Sequence, residues 1–252
     1  MFALTRRPSP QMQACERTFV DELPIDYELA CRQHGNYCQV LSSVGLSVQT
    51  LDANLELPDC AFVEDPAIVL DEAAILTSMG ADSRVAELKT IATELEKVRR
   101  VLPIHRPARL EGGDVLRVGR TLLVGISSRT NEAGALALAD LARPYGYLVK
   151  TVKVTGSLHL KTACTALPDN RLLVNPNWID ISQLGDYDLI AVPTDEPWGA
   201  NTLPVSNQII MPAAHQQTQG LLADLGFDLR PIDISEFAKA EGGVTCLSLV
   251  FS

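Results

Sequence analysis

Hydrophobic and polar positions recur along the chain in a common order. Five segments begin at Phe62, Leu110, Leu158, Ala200 and Gly242. The first four have a short apolar strand, a polar turn and a second apolar strand, and the fifth reaches Ser252 after its first strand. Their starts lie about 42 to 48 residues apart. The turns contain LDEA, VGR, PDNR or SNQ, which are typical of hairpin connections. A period of this length indicates a repeat architecture.

A helix and a further strand are predicted after most of these hairpins. Apolar residues three and four positions apart predict an amphipathic helix over residues 85–100, and they are Val85, Leu88, Ile91, Leu95 and Val98. The same pattern predicts helices over residues 131–143 and 215–225. Strands are expected over residues 101–104, 148–154 and 229–234. In the fourth segment a strand over residues 189–193 follows a weaker helical pattern.

The N-terminal region supplies the parts that the last segment lacks. It predicts a strand over residues 2–6, a helix over 27–42 and a strand over 47–51. The last segment, whose strand we expect to start at Cys246, needs the first strand of the chain to complete its sheet. Such closure removes open sheet edges, as in a propeller. We therefore predict a single α/β domain over residues 1–252 with five strand-strand-helix-strand blades; a generic α/β sandwich is the alternative.

Composition and charge narrow the class of protein. Hydrophobic residues make up 46% of the 252 residues and charged residues 21%, which is ordinary for a soluble protein with a sizeable core. No apolar run reaches the ~18 residues that span a bilayer, and MFALTRRPSP lacks the apolar region of a secretory signal. We expect a cytoplasmic protein without a membrane partner. The net charge of −10 argues against a nucleic-acid partner and is compatible with a cationic small-molecule substrate.

Cysteine and histidine spacing gives no sign of a metal centre. The six cysteines contain no CxxC pair, and the four histidines are equally dispersed. Disulfides are uncommon in cytosolic proteins, and the ligand spacing of zinc sites is missing. We expect no disulfide, no metal and no cofactor.

Residues with ionisable, polar or nucleophilic side chains stand at the start of the first strand of each repeat. They are Glu64 with Asp65, Glu111 with Asp114, His159, Asn201 and Cys246. Each alone has an ordinary structural explanation, since most cysteines are simply buried. If rotation relates the repeats, these positions converge on the central axis. Their equivalent placement favours a shared pocket that contains a thiol, an imidazole and carboxylates.

Such a set suits nucleophilic catalysis on a cation. Cys246 could attack as a thiolate, His159 could transfer protons, and Glu111 could orient the imidazole. Further acids, Asp59, Glu64 and Asp65, would disfavour thiolate formation unless the substrate is positively charged. Carboxylates bind a planar guanidinium by paired hydrogen bonds.

Two arginines and two glycines complete the candidate pocket. Arg84 and Arg129 follow the second strands of their repeats, and together they could hold a carboxylate. A substrate with a guanidinium at one end and a carboxylate at the other is an arginine derivative. Gly242 and Gly243, just before Cys246, would let the backbone approach that substrate closely.

These residues lie in motifs that resemble a known family. FVEDP, DSR, EGGD, SSRTN, LHLKT and GGVTC, in this order, resemble the dimethylarginine dimethylaminohydrolases over essentially the whole chain. These enzymes belong to the guanidine-modifying superfamily, which has the five-bladed ββαβ pentein fold. FVEDP, EGGD and His-x-Lys also occur in other guanidine-modifying enzymes. The compact length separates this chain from the longer arginine deiminases, which carry an extra helical domain.

The resemblance implies a role for each candidate. Cys246 would be the nucleophile, His159 the general acid and base, and Glu111 the carboxylate that supports it. The guanidinium acceptors would be Glu64 and Asp65, and the carboxylate clamp would be Arg84 and Arg129. Asp59 and backbone carbonyls near Arg17 and Ala240 would bind the α-amino group. Residues 6–19 would form a lid over the substrate, and a homodimer is compatible with the family.

The implied reaction is covalent and metal-free, and it leaves alternatives open. Cys246 would displace dimethylamine through a thiouronium intermediate, and water would then release citrulline. The pKa of Cys246 is expected near or above about 8.5 in the empty pocket and should fall when the cation binds. The alternatives are a deiminase or amidinotransferase that acts on another guanidine such as arginine, and a propeller that only binds a partner. A ribosome anti-association factor has the same propeller, and a factor of that kind would lack the Cys, His and Glu set.

Overall fold

The computed structural model describes all residues from Met1 to Ser252. Its fifteen strands are β1 Phe2–Arg6, β2 Ser47–Leu51, β3 Ala67–Val69, β4 Ala73–Leu76, β5 Arg100–Pro103, β6 Val115–Val118, β7 Thr121–Ile126, β8 Leu148–Lys153, β9 Cys164–Leu167, β10 Arg171–Val174, β11 Asp188–Ala191, β12 Leu203–Val205, β13 Gln208–Pro212, β14 Asp228–Ile232 and β15 Leu249–Phe251. Its α-helices are α1 Tyr27–Ser43, α2 Leu88–Leu95, α3 Glu132–Ala142, α4 Leu160–Ala163, α5 Gln216–Asp224 and α6 Ser235–Ala238. No helix is both long and apolar enough to cross a bilayer.

The strands form five separate sheets of three strands with a common pattern. The sheets are β15-β1-β2, β3-β4-β5, β6-β7-β8, β9-β10-β11 and β12-β13-β14. In every sheet the middle strand runs antiparallel to the first and parallel to the third. A parallel neighbour requires a crossover connection, which α1, α2, α3 and α5 provide in four of the sheets. In the fourth sheet a short 3₁₀ turn, Ile181–Leu184, takes this place, consistent with its weaker helical pattern.

The first strands of neighbouring sheets contact one another and line the axis of a propeller. Contacts join β15 to β3, β6 to β9, and β9 to β12. The ring closes through β1, which pairs with β15 on one side and β2 on the other. The predicted closure between the two chain termini is confirmed.

Local signals in the sequence explain where the elements begin and turn. Asp26 caps α1 by accepting a hydrogen bond from Leu29 N at 2.9 Å, and Asn131 caps α3 through Gly134 N at 2.8 Å. The hairpin turn between β9 and β10 places Asp169 and Asn170 at positive φ, as the PDNR pattern indicates. Helices then pack on their sheets over apolar clusters, such as that of Leu122, Val124 and Leu138.

The predicted helix over residues 85–100 is wrong at both ends. Residues Asp82–Glu87 form a 3₁₀ turn, and α2 ends at Leu95, which leaves Val98 outside the helix and 49% exposed. In a 3₁₀ turn, residues i and i+3 lie on the same side, and this brings Arg84 and Glu87 together in the interior. The predicted strand start at Cys246 is also wrong. Cys246 lies in a 3₁₀ turn, Thr245–Leu247, and β15 begins at Leu249.

Candidate active site

A small buried pocket lies where the entrances to several sheets meet. Its walls combine acids, arginines, a histidine and a cysteine, namely Glu16, Asp59, Phe62, Asp65, Arg84, Arg129, Leu158, His159, Ala240, Glu241, Gly242 and Cys246. Most of the candidates from separate repeats therefore meet in one place. A larger cavity of about 510 Å³ shares none of these lining residues.

Cys246 is held by its own turn and is 9% exposed. Gly243 N donates a hydrogen bond to its Sγ at 3.3 Å, and its carbonyl oxygen accepts one from Glu64 N at 3.3 Å. Burial raises the pKa of the thiol to about 12, and the negative charges of Glu64 and Asp65 act in the same direction. In the empty pocket the group is therefore a thiol at neutral pH, which agrees with the direction expected from the surplus of acids.

His159 and Glu111 form a buried hydrogen-bonded pair. His159 Nε2 lies 2.7 Å from Glu111 Oε2, and Glu111 Oε1 accepts from Gly80 N at 2.8 Å. Burial alone would lower the pKa of His159, but the charge of Asp65, the hydrogen bond to Glu111 and the charge of Asp114 raise it to about 9. Burial would raise the pKa of Glu111, but His159 holds it well below its usual range. The imidazole is therefore protonated at neutral pH.

Asp114 fixes the backbone next to His159. Its Oδ1 accepts from Leu160 N at 2.8 Å, where α4 begins, and its Oδ2 accepts from Ser127 Oγ at 2.7 Å. Gly113 is required because a Cβ there would lie 2.6 Å from His159 Nδ1 and 2.7 Å from Asp65 Oδ1. The EGGD motif thus lets the imidazole and a carboxylate approach the backbone.

Arg84 is enclosed by carboxylates. It donates to Asp65 Oδ2 at 2.6 Å, and it forms two hydrogen bonds with Glu87 at 3.0 and 2.8 Å. Arg129 Nη1 lies 3.4 Å from Glu111 Oε1. Both side chains line the pocket, Arg84 from the 3₁₀ turn after β4 and Arg129 from the loop after β7, and their role as a carboxylate clamp stays a prediction.

Asp59 connects the pocket to the N-terminal loop. Its carboxylate accepts from Glu16 N at 3.3 and 3.2 Å, and burial raises its pKa to about 6. Ala240 lines the pocket, but Arg17 does not, and Glu16 stands in the wall instead. The Arg17 side chain donates from Nε to the carbonyl oxygen of Lys239 at 3.1 Å, and the role of a backbone carbonyl near Arg17 stays a prediction.

Glu64 lies outside the pocket wall, although it precedes Asp65 directly. Its Oε1 is 2.5 Å from Lys161 Nζ, and its Oε2 accepts from Thr245 Oγ1 at 2.8 Å. Both partners, with Glu64 itself, line the larger cavity. Of the two consecutive acids only Asp65 lines the pocket with the thiol and the imidazole, although the charge of Glu64 also raises the pKa of Cys246. The role of Glu64 as a guanidinium acceptor stays a prediction.

Three residues offer donor atoms close enough for a metal ion. Those of Asp65, Glu111 and His159 lie within 4.8 Å of one another. However, the 2.7 Å contact of His159 with Glu111 is a hydrogen bond, and Asp65 already accepts from Arg84 and from Gly113 N at 2.9 Å. A cation would have to displace the imidazole proton and compete with a guanidinium, so this set suits proton transfer better than metal binding.

Comparison with known proteins places this geometry in a family. A model of the arginine deiminase family matches residues 54–187. The N(G),N(G)-dimethylarginine dimethylaminohydrolase of Streptomyces coelicolor is 37% identical, over 98% of this chain and 95% of that protein. The Pseudomonas aeruginosa protein of the same name is 34% identical over 90% of each chain. The chain belongs to the dimethylarginine dimethylaminohydrolase family.

The fold of this dimethylarginine dimethylaminohydrolase family member is close to that of a solved relative. The Pseudomonas aeruginosa enzyme, as a cysteine-to-serine variant in complex with citrulline, matches with a TM-score of 0.95 at 31% identity. The match covers 99% of this chain and 98% of the other. The predicted five-bladed α/β propeller is confirmed, and family members are hydrolases.

Three residues near the site of this family member were not singled out from its sequence. Lys161 lies in the LHLKT motif. Its ion pair with Glu64 joins the segment before β9 to the segment before β3, which are distant in sequence. Glu87 follows Arg84 by three residues, a spacing that signals contact only in a helical turn. Glu241 directly precedes the two glycines, but only the folded chain shows that its Oε1 accepts from Thr18 N, at 3.0 Å, and from Phe19 N.

Proposed function

We propose that this protein hydrolyses Nω-methylated L-arginines to L-citrulline and dimethylamine or methylamine. The observation that carries the proposal is that Cys246 and His159, the latter hydrogen-bonded to Glu111, line one buried pocket together with Asp59 and Asp65. Family membership supports the same reaction, since a related enzyme binds citrulline when its cysteine is replaced by serine.

The charges of the pocket match the two ends of an arginine derivative. Asp65, next to Cys246 and His159, would accept the guanidinium, and Glu64 would add negative charge behind it. Asp59 and the carbonyl of Ala240 would receive the α-ammonium group. Arg84 and Arg129 would hold the carboxylate, and Glu16 lines the pocket on the side of the N-terminal loop.

The substrate's own charge activates the nucleophile. The thiol of Cys246, with its pKa raised to about 12 mainly by burial, loses its proton to solvent more readily once a cation offsets Glu64 and Asp65. The thiolate then adds to the guanidinium carbon and forms a C–S bond.

His159 transfers the protons of the two half-reactions. Nε2 is occupied by Glu111, so Nδ1 is the atom available to protonate the leaving nitrogen as the C–N bond breaks. The neutral imidazole left behind takes a proton from water, whose oxygen attacks the thiouronium carbon. The adduct then loses its hydroxyl proton to solvent as the C–S bond breaks, which restores the thiolate and releases citrulline.

Deimination of arginine is the second candidate. The match of residues 54–187 to the arginine deiminase family favours it, because the same nucleophile and acid could expel ammonia from an unmethylated guanidinium. The two reactions share citrulline and differ in the amine released. Substrate choice therefore decides between them.

The test measures citrulline release from asymmetric dimethylarginine, monomethylarginine and arginine side by side. We expect turnover of the methylated substrates and a loss of at least about 10³-fold in kcat/KM for Cys246→Ser. Cys31→Ser is the matched control, since Cys31 lies half-buried on α1, outside the pocket wall. Faster turnover of arginine would establish the deiminase instead. Undiminished activity of Cys246→Ser would contradict the covalent mechanism.

A further inference from the structure

Glu241 has one carboxylate oxygen that nothing in the protein satisfies. The residue is 6% exposed, and its Oε2 is buried without a hydrogen-bond partner. Its Oε1 accepts from the backbone amides of Thr18 and Phe19 in the N-terminal loop. An unpartnered buried oxygen of a carboxylate is costly and points to a missing donor.

The backbone holds Glu241 in this place. Its φ is 59°, in the left-handed region that side chains other than glycine rarely adopt. A residue keeps such a conformation only where its surroundings determine it. The orientation of the carboxylate is therefore built into the loop that leads to Cys246.

Glu241 stands in the wall between the substrate pocket and a second cavity of about 240 Å³. The second cavity is lined largely by apolar groups, among them Val20, Trp198, Pro212 and Ile234. A second carboxylate, Asp233, lines it as well, whereas no lysine or arginine does, and burial lowers the pKa of its histidine, His215. The charge that would complement Glu241 must therefore come from a ligand.

Only backbone separates this cavity from the nucleophile. Gly242 lines both cavities, and Gly243 lines the second one while its N–H donates to Cys246 Sγ at 3.3 Å. A Cβ on Gly243 would overlap the side chain of Asn201, another lining residue. The glycine pair thus brings the apolar cavity next to the reacting thiol.

We propose that the second cavity is a binding site for small alkylammonium cations, with Glu241 Oε2 as the acceptor. Ammonium N–H groups satisfy the carboxylate oxygen, and alkyl groups contact the apolar wall and the ring of Trp198. Dimethylammonium, the protonated product of the proposed hydrolysis, is one such cation. Its relevance to the reaction rests on the proposed function, whereas the cation site itself does not. Because the cavities are separate, the cation binds while citrulline occupies the substrate pocket.

The test follows the indole N–H signals of the two tryptophans by NMR during titration with dimethylammonium chloride. Trp198 lines the cavity, but its ring lies 4.9 Å from that of Trp178, so the two signals must be told apart. Trp178→Phe leaves Trp198 as the one tryptophan and thereby assigns its signal. We expect a saturable shift of the Trp198 signal with and without excess citrulline. Tetramethylammonium, which has no N–H donor for Glu241 and keeps only the contact with Trp198, should bind more weakly than dimethylammonium. Sodium chloride at equal ionic strength should give no saturable shift.

Two variants make the result decisive. Glu241→Gln keeps an acceptor for the loop amides but removes the charge, so the dissociation constant should rise at least about tenfold. Ala213→Leu leaves Glu241 unchanged and fills the half-buried cavity wall, so the shift should disappear. An unchanged constant in Glu241→Gln, no saturation in the wild type, or loss of the shift with citrulline would each overturn the site. A wild type that binds the cation but hydrolyses no methylarginine would refute the proposed function alone.

Discussion

At the scale of single residues, the pocket is organised by buried charges that satisfy one another. Glu111 is paired with His159, Asp65 with Arg84, and Glu64 with Lys161. Desolvation offsets much of the attraction in such pairs, and removal of one partner leaves a buried charge without compensation. The pairs are therefore better explained by the protonation states that they impose than by their contribution to folding.

The hydrogen bond between Glu111 and His159 should control the pKa of the imidazole. In Glu111→Gln we expect the pKa of His159 to fall from about 9 toward or below about 6.5, because burial then opposes fewer negative charges. In the wild type the raised pKa contributes stability that is complete below about pH 6.5 and is lost as pH rises through about 9. The variant should lack this alkaline loss.

NMR titration of the histidine ring signals measures the change directly. The signal of His34 is separable, because burial lowers the pKa of that group to about 4. Glu96→Gln, at an exposed position after α2, is the control and should leave His159 unchanged. If His159 titrates near pH 9 in Glu111→Gln as well, Asp65 and Asp114 hold its proton.

The equivalent positions of the candidates in the repeats were enough to group most of them in one pocket. These positions did not show which side chains would pair by hydrogen bonds or opposite charge. Glu64 and Asp65 are adjacent in a turn, yet one binds Lys161 and the other Arg84. Glu241 precedes the two glycines, yet its carboxylate accepts from the distant backbone amides of Thr18 and Phe19. Such choices depend on groups that are distant in sequence, and no local pattern encodes them.

At the scale of secondary structure, two helical glycines show how packing overrides intrinsic propensity. Gly35 lies exposed in α1, and a Cβ at this position would meet no other atom within 4 Å. Gly134 lies buried in the first turn of α3, and a Cβ there would overlap the carbonyl oxygen of Arg109. The same substitution should therefore have opposite effects in the two helices.

We expect Gly35→Ala to raise the free energy of unfolding by about 0.5–1 kcal/mol, because alanine favours the helix and restricts the unfolded chain. Gly134→Ala should lower it by about 1–3 kcal/mol, since α3 must move away from the segment that it packs against. Urea denaturation of both variants and the wild type measures the two changes. A stabilising Gly134→Ala would show that α3 shifts without cost.

The predicted bounds of helices and strands agreed with the structure best where neighbouring residues in the sequence determine the backbone conformation. The helices predicted over residues 131–143 and 215–225 lie within two residues of α3 and α5. The prediction failed over residues 85–100, where Arg84 and Glu87 turn inward, and at Cys246, where a 3₁₀ turn carries the thiol. The errors at Arg84 and at Cys246 lie in the site, where tertiary contacts determine the backbone, whereas the early end of α2 at Leu95 lies outside it.

At the scale of the whole molecule, the ring is closed by the last strand of the chain. β15 pairs with β1, and Leu249 packs with Leu4, Val63 and Ile91 in one buried cluster. The repeat pattern predicted this closure, because the last segment contained a single usable strand. The turn of Cys246 directly precedes β15, so the closure that completes the propeller also positions the nucleophile.

Removal of residues 249–252 should therefore affect folding and activity together. It exposes the edge of β1 and the apolar surface that Leu249 covers, and burial of one such side chain alone contributes about 1.5–3 kcal/mol. We expect a lowered Tm with broadened thermal unfolding and no measurable citrulline release. Deletion of Ser252 alone, which keeps every pair between β1 and β15, should retain both properties. A shortened chain with the wild-type Tm but no activity would show that β15 serves the site rather than the ring, because the apolar cluster would then hold the propeller closed without it.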